Sequence, residues 1–301
     1  MKINISEKWL PVYEALDSSV RIKIIQLLSE QPLNVKEIAA KLELSSAIIT
    51  MHINKLEKAG IIKAERTRSK GGVQKICSLI VDSIKIDFPK AANEEFKYHE
   101  HTMPVGHYTD FEVTPTCGLA TTSTVIGCYD DARYFLDPQR VDAKILWFTQ
   151  GYIEYKLPNY LLSSEEPTEL EVTMELGSEA PGANKNWPSD ISFIINEVKV
   201  AQWTSPGDFA DIKGKYSPDW WTIDVNQYGM LKKLRVNDKG TFIDGEKVSE
   251  VKLADINIKN KQWTFKLEVE KDAVHVGGLT IFGKGFGNYD QDIIFRLYYT
   301  N

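Results

Sequence analysis

The spacing of apolar residues changes period along this chain, and that change constrains the fold more than any other feature. Up to Gly60 the apolar side chains recur three and four apart: Val20, Ile24, Leu27 and Leu28, then Val35, Ile38, Ala39 and Leu42, then Ile49, Ile53 and Leu56. That spacing lines one face of a helix. Beyond Gly60 the apolar runs alternate or are β-branched and aromatic, the pattern of strands. A segment patterned for one period cannot bury its apolar side chains in the other, so the chain should have a helical head and a β body.

Within the head, residues 7–16 (Trp9, Leu10, Val12, Tyr13, Leu16) predict a first amphipathic helix. Asp17, Ser18 or Ser19 caps a second that stops at Gln31-Pro32, and residues 34–42 make a short third. The link Glu43-Leu44-Ser45 leads into a helix bracketed by a serine start and by Gly60. A short helix, a tight link and a helix opening on serine is the helix-turn-helix arrangement. Opposite the apolar stripe of the last helix lie Ala47, Thr50, Met51, Asn54 and Lys58, small or hydrogen-bonding groups with a cation toward the end. Such a face suits the DNA major groove, which offers donors, acceptors and thymine methyls. An ordinary amphipathic surface helix carries the same pattern, so the flanking sequence has to decide. Residues 61–68 and 73–79 are strand-like and joined by Ser69-Lys70-Gly71-Gly72, with Arg66, Arg68, Lys70 and Lys75 on or beside them. A cationic hairpin directly after such a helix reads as a wing for the DNA backbone or minor groove.

Charge supports the division. The net charge is −6, yet residues 1–90 hold fifteen Lys and Arg against ten Asp and Glu, and the remainder 21 against 32. A basic head on an acidic body is the balance of a DNA-reading domain attached to something else, because phosphate neutralisation carries much of the affinity.

Ala15-Leu16-Asp17-Ser18-Ser19-Val20-Arg21-Ile22-Lys23-Ile24-Ile25-Gln26-Leu27-Leu28, then Val35-Lys36-Glu37-Ile38-Ala39, then residues 45–55 and Leu56-Glu57-Lys58-Ala59-Gly60-Ile61-Ile62 resemble the winged-helix domain of the ArsR/SmtB family of bacterial transcription regulators. The resemblance covers about residues 8–80. It implies a homodimer on a palindromic operator in double-stranded DNA, acting as a repressor, with Ser45, Ser46, Ala47, Thr50, Met51, His52 and Asn54 facing DNA. With Lys55 and the wing cations Arg66, Arg68, Lys70 and Lys75, these are the residues expected at the nucleic acid. The family's metal sensors carry paired cysteines where this chain has Asn34-Val35-Lys36-Glu37-Ile38, and residues 83–89 do not continue as the family's ligand-bearing dimerisation helix. No metal and no cofactor is therefore expected.

The body shows strand-like runs at 108–114, 121–127, 145–157, 169–176, 191–203, 220–225, 231–236, 241–251, 263–269, 279–282 and 293–299, separated by Pro, Gly, Asn and Asp. The expected fold class is multidomain α+β: an N-terminal winged helix-turn-helix (residues 1–88), a linker (89–106) and an all-β jelly-roll-type sandwich (107–301) for effector binding or dimerisation. The run 189–203 should be a hairpin turning at Asn196-Glu197, and it resembles hairpins of galactose-binding-like and carbohydrate-binding jelly rolls.

Aromatic and polar groups crowd residues 187–228. Trp187, Asp190, Trp203, Asp208, Tyr216, Trp220, Trp221 and Gln227 are the candidate ligand-binding residues, among further polar groups at Asp211, Lys215 and Asp219. Aromatic faces beside carboxylates and amides hold a sugar or another small polar effector; equally, tryptophans fill sandwich cores and acids sit on solvated loops. His99-Glu100-His101 with His107, Asp110 and Glu112 has the ligand types of a cupin metal site, but exposed or hydrogen-bonded histidines fit the spacing better. The glycine-rich stretch 283–290 follows a strand run but opens no helix, so a loop needing positive φ is preferred to a phosphate cradle. Cys77, Cys117 and Cys128 form no Cys-x-x-Cys pair and are expected as buried, reduced thiols.

No Gly-x-Ser-x-Gly or His-Glu-x-x-His occurs and no catalytic residue is expected. With no run of ~18 apolar residues and no apolar signal-peptide core, a cytoplasmic protein without membrane contact is expected. The leading function is a one-component transcription regulator with a ligand-sensing body. The alternatives are a carbohydrate-active enzyme carrying a DNA-binding module, or a sandwich that serves only to oligomerise.

Overall fold

The computed structural model describes residues 1–69, 72–81, 83–88 and 97–301. The chain divides into two compact units, Met1–Glu94 and Glu95–Asn301.

In the first unit the order is β1 (Lys2–Asn4), α1 (Leu10–Leu16), α2 (Ser19–Glu30), β2 (Leu33–Asn34), α3 (Val35–Leu42), α4 (Ser46–Lys58), β3 (Ile62–Ser69), β4 (Gly72–Leu79) and β5 (Lys85–Asp87). The predicted first helix begins as a single 3-10 turn, Glu7–Trp9, and becomes α-helical at Leu10 with Pro11 in its first turn, where a missing N–H costs nothing. Asn34 closes a capping box on α3: its side chain accepts from the Lys36 and Glu37 amides while the Glu37 carboxylate accepts from the Asn34 amide at 2.7 Å. Glu43 then takes φ +55° and turns the chain into α4. Ile24, Ile38, Ile49, Ile53 and Leu56 meet in the core, so the three stripes read from the sequence face one another. β2, β4 and β3 form an antiparallel sheet, and β1 pairs in parallel with β5.

The second unit holds β6 (Lys97–Met103), β7 (Asp110–Ala120), β8 (Ile145–Pro158), β9 (Glu166–Gly177), β10 (Ser189–Ile195), β11 (Val198–Ser205), β12 (Met230–Asn237), β13 (Gly240–Ile243), β14 (Glu246–Ser249), β15 (Gln262–Val269), β16 (Leu279–Phe282) and β17 (Ile293–Thr300). One layer runs β11-β10-β15-β8-β7 and the other β6-β17-β9-β12-β13-β14, while short β16 bonds to both β8 and β9 and joins them. Every pairing in this sheet is antiparallel. Alternation decides what points inward: Trp263, Phe265, Leu267 and Val269 of β15 are buried, and Phe265 and Trp263 meet Phe295 of β17 edge-on across the layers at 5.3 and 5.4 Å. Each such buried aromatic contributes about 1.5–3 kcal/mol. The fold is thus a helical winged head followed by a β-sandwich.

Three expectations need correction. Residues 97–103, assigned to the linker, form β6, which pairs with β17 from Met103↔Ile293 to Lys97↔Tyr299; their mostly polar composition is that of an exposed edge strand. Residues 121–127 form a turn, because the Thr121 hydroxyl accepts from the amides of Ser123 and Thr124 and competes with a ladder. Residues 220–225 are also irregular, the indole N–H of Trp221 donating to the Asn226 carbonyl at 2.8 Å. The hairpin at Asn196-Glu197 forms where predicted, with φ +47° and +68°. The run 241–251 is itself a hairpin, turned by Asp244-Gly245.

Candidate functional sites

In α4 the serine start works as read: the Ser45 hydroxyl accepts from the Ile48 amide at 3.3 Å, and that cap fixes where the helix begins. Ile49, Ile53 and Leu56 turn inward, leaving Ser46, Ala47, Ile48, Met51, Asn54, Lys55 and Lys58 exposed and Thr50 half-buried with its hydroxyl on the Ser46 carbonyl. His52 departs from the expected set. It is buried, one position from Ile53, and its Nδ1 lies 3.3 Å from Nη1 of Arg21. Burial, then the Arg21 and Lys55 cations, hold the imidazole below its ordinary 6.5, so Nδ1 is free to accept.

Arg21 explains how the reading helix is held. It is itself buried, and it donates from Nε to the Ala15 carbonyl (2.8 Å) and from Nη2 to those of Glu14 (2.6 Å) and Asp17 (3.0 Å). These carbonyls belong to the end of α1, where four acceptors lack helical partners and the dipole favours a cation. Its remaining nitrogen reaches His52, so one guanidinium ties the end of α1 to α2 and α4.

On the wing, Arg66 is exposed. The Arg68 side chain and Lys70 lie outside the described residues. Lys75 is engaged within the domain: its ammonium donates to Asn54 Oδ1 (3.2 Å) and to the Glu57 carboxylate (2.9 Å). Wing and helix are thereby locked together, and the expectation of a free phosphate-binding lysine at this position is corrected.

In the second unit the ionisable groups that matter converge on a cleft of about 210 Å³ where β9 and β11 end. Glu179 follows β9 and is almost wholly buried; its carboxylate accepts from the Thr116 hydroxyl (3.1 Å), Asn226 Nδ2 (2.9 Å) and the Thr280 hydroxyl (3.3 Å). Asp208 follows β11, is 2% exposed, and accepts from the Ala180 amide through Oδ2 at 3.2 Å, while its Oδ1 has no partner. Burial, and next the charge of Asp208, push Glu179 well above the usual carboxylate range; burial pushes Asp208 up to about 7. Tyr129, Trp147 and Trp221 line the same cleft, with Trp147 5.9 Å from Tyr129 and 5.7 Å from Trp221. Gly118 is required there, since a Cβ would lie 2.3 Å from the Trp147 ring. A larger hollow, about 920 Å³, lies between residues 166–168 and 252–259, but its ionisable lining residues Glu166, Asp238, Lys252 and Lys259 are all solvent-facing.

Of the eight aromatic and polar residues singled out in the sequence, only Asp208 and Trp221 line this cleft. Trp220 packs edge-on against Trp221 and donates to the Thr122 carbonyl. Gln227 is buried and knits the surrounding loop, accepting from the Gly214 amide and donating to the Thr222 and Val225 carbonyls. Asp190 instead accepts from Thr204 (2.6 Å) and from the His275 amide (3.0 Å), which makes it a strand-end brace. Trp203 lies under the Lys232 ammonium at 4.3 Å, the Trp187 amide donates to the Pro206 carbonyl, and Tyr216 is exposed beside Lys215. Glu179, Thr116, Tyr129, Trp147 and Asn226 were missed, because they come from separate segments and no local spacing links them.

His99 meets the Glu165 carboxylate at 2.7 Å and stacks on Tyr299, and His107 sits apart in an exposed turn. Among the described residues no three His, Cys, Asp or Glu side chains group to hold a metal ion. Cys77 and Cys117 are buried, whereas Cys128 is exposed, against expectation. The glycine-rich stretch does bind an anion, but the protein's own. Buried Glu175 accepts from the amides of Gly229 (2.9 Å), Asn288 (2.8 Å) and Tyr289 (3.0 Å), and a Cβ on Gly287, at φ +71°, would lie 2.4 Å from its oxygens.

Three packed helices, a capped helix presenting a polar and small-residue face, and a β-hairpin directly after it define a winged helix-turn-helix domain. Residues 18–64 match the family described as bacterial regulatory protein, arsR family, and form an ArsR-family helix-turn-helix domain. A curated relative, an uncharacterized HTH-type transcriptional regulator of Methanocaldococcus jannaschii, is 40% identical over 52 residues, which is 17% of this chain and 55% of the relative, so the match spans about half of that protein's length. Among solved structures, HlyU from Vibrio cholerae is similar at 20% identity and a TM-score of 0.22 over 24% of this chain and 75% of that one. The CBM36-1 domain of a multidomain xylanase from the hindgut metagenome of Trinervitermes trinervoides is similar at 8% identity and a TM-score of 0.30 over 66% of this chain and 96% of that one. Likenesses at this level say nothing about a ligand. No helix among the described residues is long and apolar enough to cross a membrane.

Proposed function

We propose that this chain is a one-component transcription regulator. Its winged head reads duplex DNA with α4 in the major groove and the wing on the flanking backbone, and the sandwich adjusts that binding when a small polar effector occupies the carboxylate-lined cleft. The observation that carries the reading is the outer face of α4: a helix capped at Ser45, braced from behind by Arg21 and His52, and presenting Ser46, Ala47, Met51, Asn54 and Lys55 to solvent. A helix held this rigidly can dock side chains against base edges without further ordering.

One such helix reads only a few base pairs, so two copies on a palindromic operator supply the specificity, and repression follows from occupying the promoter. Ile5, Ile86 and Phe88, exposed on or beside the paired strands β1 and β5, are apolar side chains that a second copy would cover. Effector and DNA are coupled reciprocally: a ligand that weakens operator binding must bind less tightly to the DNA-bound protein by the same factor.

The test is direct. The intact protein is titrated at low ionic strength against promoter fragments of its own genome, with and without small polar compounds first selected for raising its melting temperature. Saturable binding to a subset of fragments, at a stoichiometry of two chains per site, is the expected result. No shift of any fragment would refute the DNA-reading role; one chain per site would refute the dimer alone.

A further inference from the structure

The cleft that the preceding reading assigns to an effector has a chemistry of its own. Its two buried acids, Glu179 and Asp208, have no cation among the lining residues. The nearby Lys185, whose neighbour Asn184 accepts from the Asp208 amide, is paired at 2.8 Å with Asp211 instead. The other titratable groups on the cleft wall are Asp130, which accepts from the Cys117 amide, and Tyr129. The cleft therefore gathers acidic and aromatic side chains: the Thr116 and Asn226 donors on its wall are turned to Glu179, the Tyr129, Trp147 and Trp221 rings line it, and one oxygen, Asp208 Oδ1, is buried without a donor.

A neutral polyol would supply donors but no charge, whereas a cation supplies donors and favours the ionised form of Asp208, whose charge burial otherwise opposes. A hard divalent ion is the weaker fit, since it takes six to eight oxygen ligands and gains nothing from aromatic walls. At about 210 Å³, against about 150 Å³ for a benzene-sized cavity, the space takes a small molecule and not an oligosaccharide. We propose that the cleft binds the ammonium group of a small organic amine, with Asp208 Oδ1 as its counter-charge, the Glu179 carboxyl beside it, and Tyr129, Trp147 and Trp221 as its aromatic wall. This rests on the reading of the cleft as a ligand site and names the ligand class.

Ammonium binding displaces protons. Asp208, pushed up to about 7, is largely protonated in the empty cleft on the acid side of neutrality and must ionise to hold a cation. Affinity for an amine should accordingly rise between about pH 6 and about pH 8, with proton release.

The experiment is calorimetric titration of the intact protein with ethanolamine and methylamine, which keep their charge and their N–H donors over this range, against ethylene glycol, glucose and calcium chloride. Each titration is run in two buffers of different ionisation enthalpy, with tryptophan fluorescence followed in parallel. The amines should bind at least about tenfold more tightly than the neutral compounds and release protons, and Asp208→Asn should cost at least about tenfold. Tyr129→Leu, at an exposed position on the rim, should weaken the amines as well. Equal binding of glucose or ethylene glycol, or an undiminished amine affinity in Asp208→Asn, would overturn the amine assignment and leave the ligand site standing. Binding of calcium in place of the amines would make the cleft a metal site. Silence in every arm would overturn the ligand site itself.

Discussion

At the scale of single residues, several groups act by satisfying the backbone. Arg21 gathers three carbonyls at the end of α1, and Glu175 gathers three amides from two loops. The second case explains why residues 283–290 are rich in glycine: Gly285 and Gly287, at φ +92° and +71°, let the backbone close around a carboxylate. The glycines were visible in the sequence, but the anion they serve stands more than a hundred residues earlier. Glu175→Gln keeps the shape yet turns an amide NH₂ toward amide donors. It should destabilise the sandwich by about 2–4 kcal/mol in chemical denaturation. Arg21→Met should cost the winged domain a comparable amount, about 2–4 kcal/mol, because the α1 carbonyls lose their donors inside the core; hydrogen exchange of the α4 amides in the intact chain would report it.

At the scale of elements, legibility followed periodicity. Strands β12, β15 and β17 bury every second residue and were read within a residue or two of their ends, whereas 121–127 has strand composition but keeps a single bridge, Val125 to Ala120, and 220–225 joins no ladder. β6 was missed for the opposite reason: with Lys97, His99, Glu100 and His101 it looks like a connection, and only its pairing with β17 makes it a strand. For α4 the stripe and the cap were legible, but the inward turn of His52 was not, since a histidine beside Ile53 is read as polar until Arg21 is seen opposite it. The double change Met51→Ala, Asn54→Ala should relax sequence preference. Arg66→Ala should weaken binding to all sequences alike and lower the slope of log affinity against log salt by about one, as measured by anisotropy titrations across a salt series.

For the whole molecule, the two units carry buried ionisable groups of opposite sign, and their responses to pH should diverge. His52 has its pKa lowered, so the unfolded head binds more protons than the folded one below its ordinary 6.5; the head loses stability as pH falls through that range. Glu175 and Asp208 are raised to about 7 by burial, so the folded sandwich binds more protons between their ordinary values and about 7; its stability is greatest on the acid side and declines as pH rises through about 7. Protection of the α4 amides against exchange should therefore increase from about pH 5.5 to about pH 7.5 while that of the β8 and β15 amides decreases. Parallel responses would mean that these groups do not govern the two domains.

The sequence alone determined the order of a helical head and a β body, the helix-turn-helix with its serine cap, the segregation of charge and the turn at Asn196-Glu197. All of these are written in spacing and turn chemistry within a dozen or so residues. Tertiary structure alone decided that His52 faces inward, that Lys75 is spent on Asn54 and Glu57, and that Glu179, Asp208, Tyr129, Trp147 and Trp221 share one cleft. The physical reason is that a sandwich brings together the ends of strands distant in sequence, and the charge state of a buried acid depends on which ends those are.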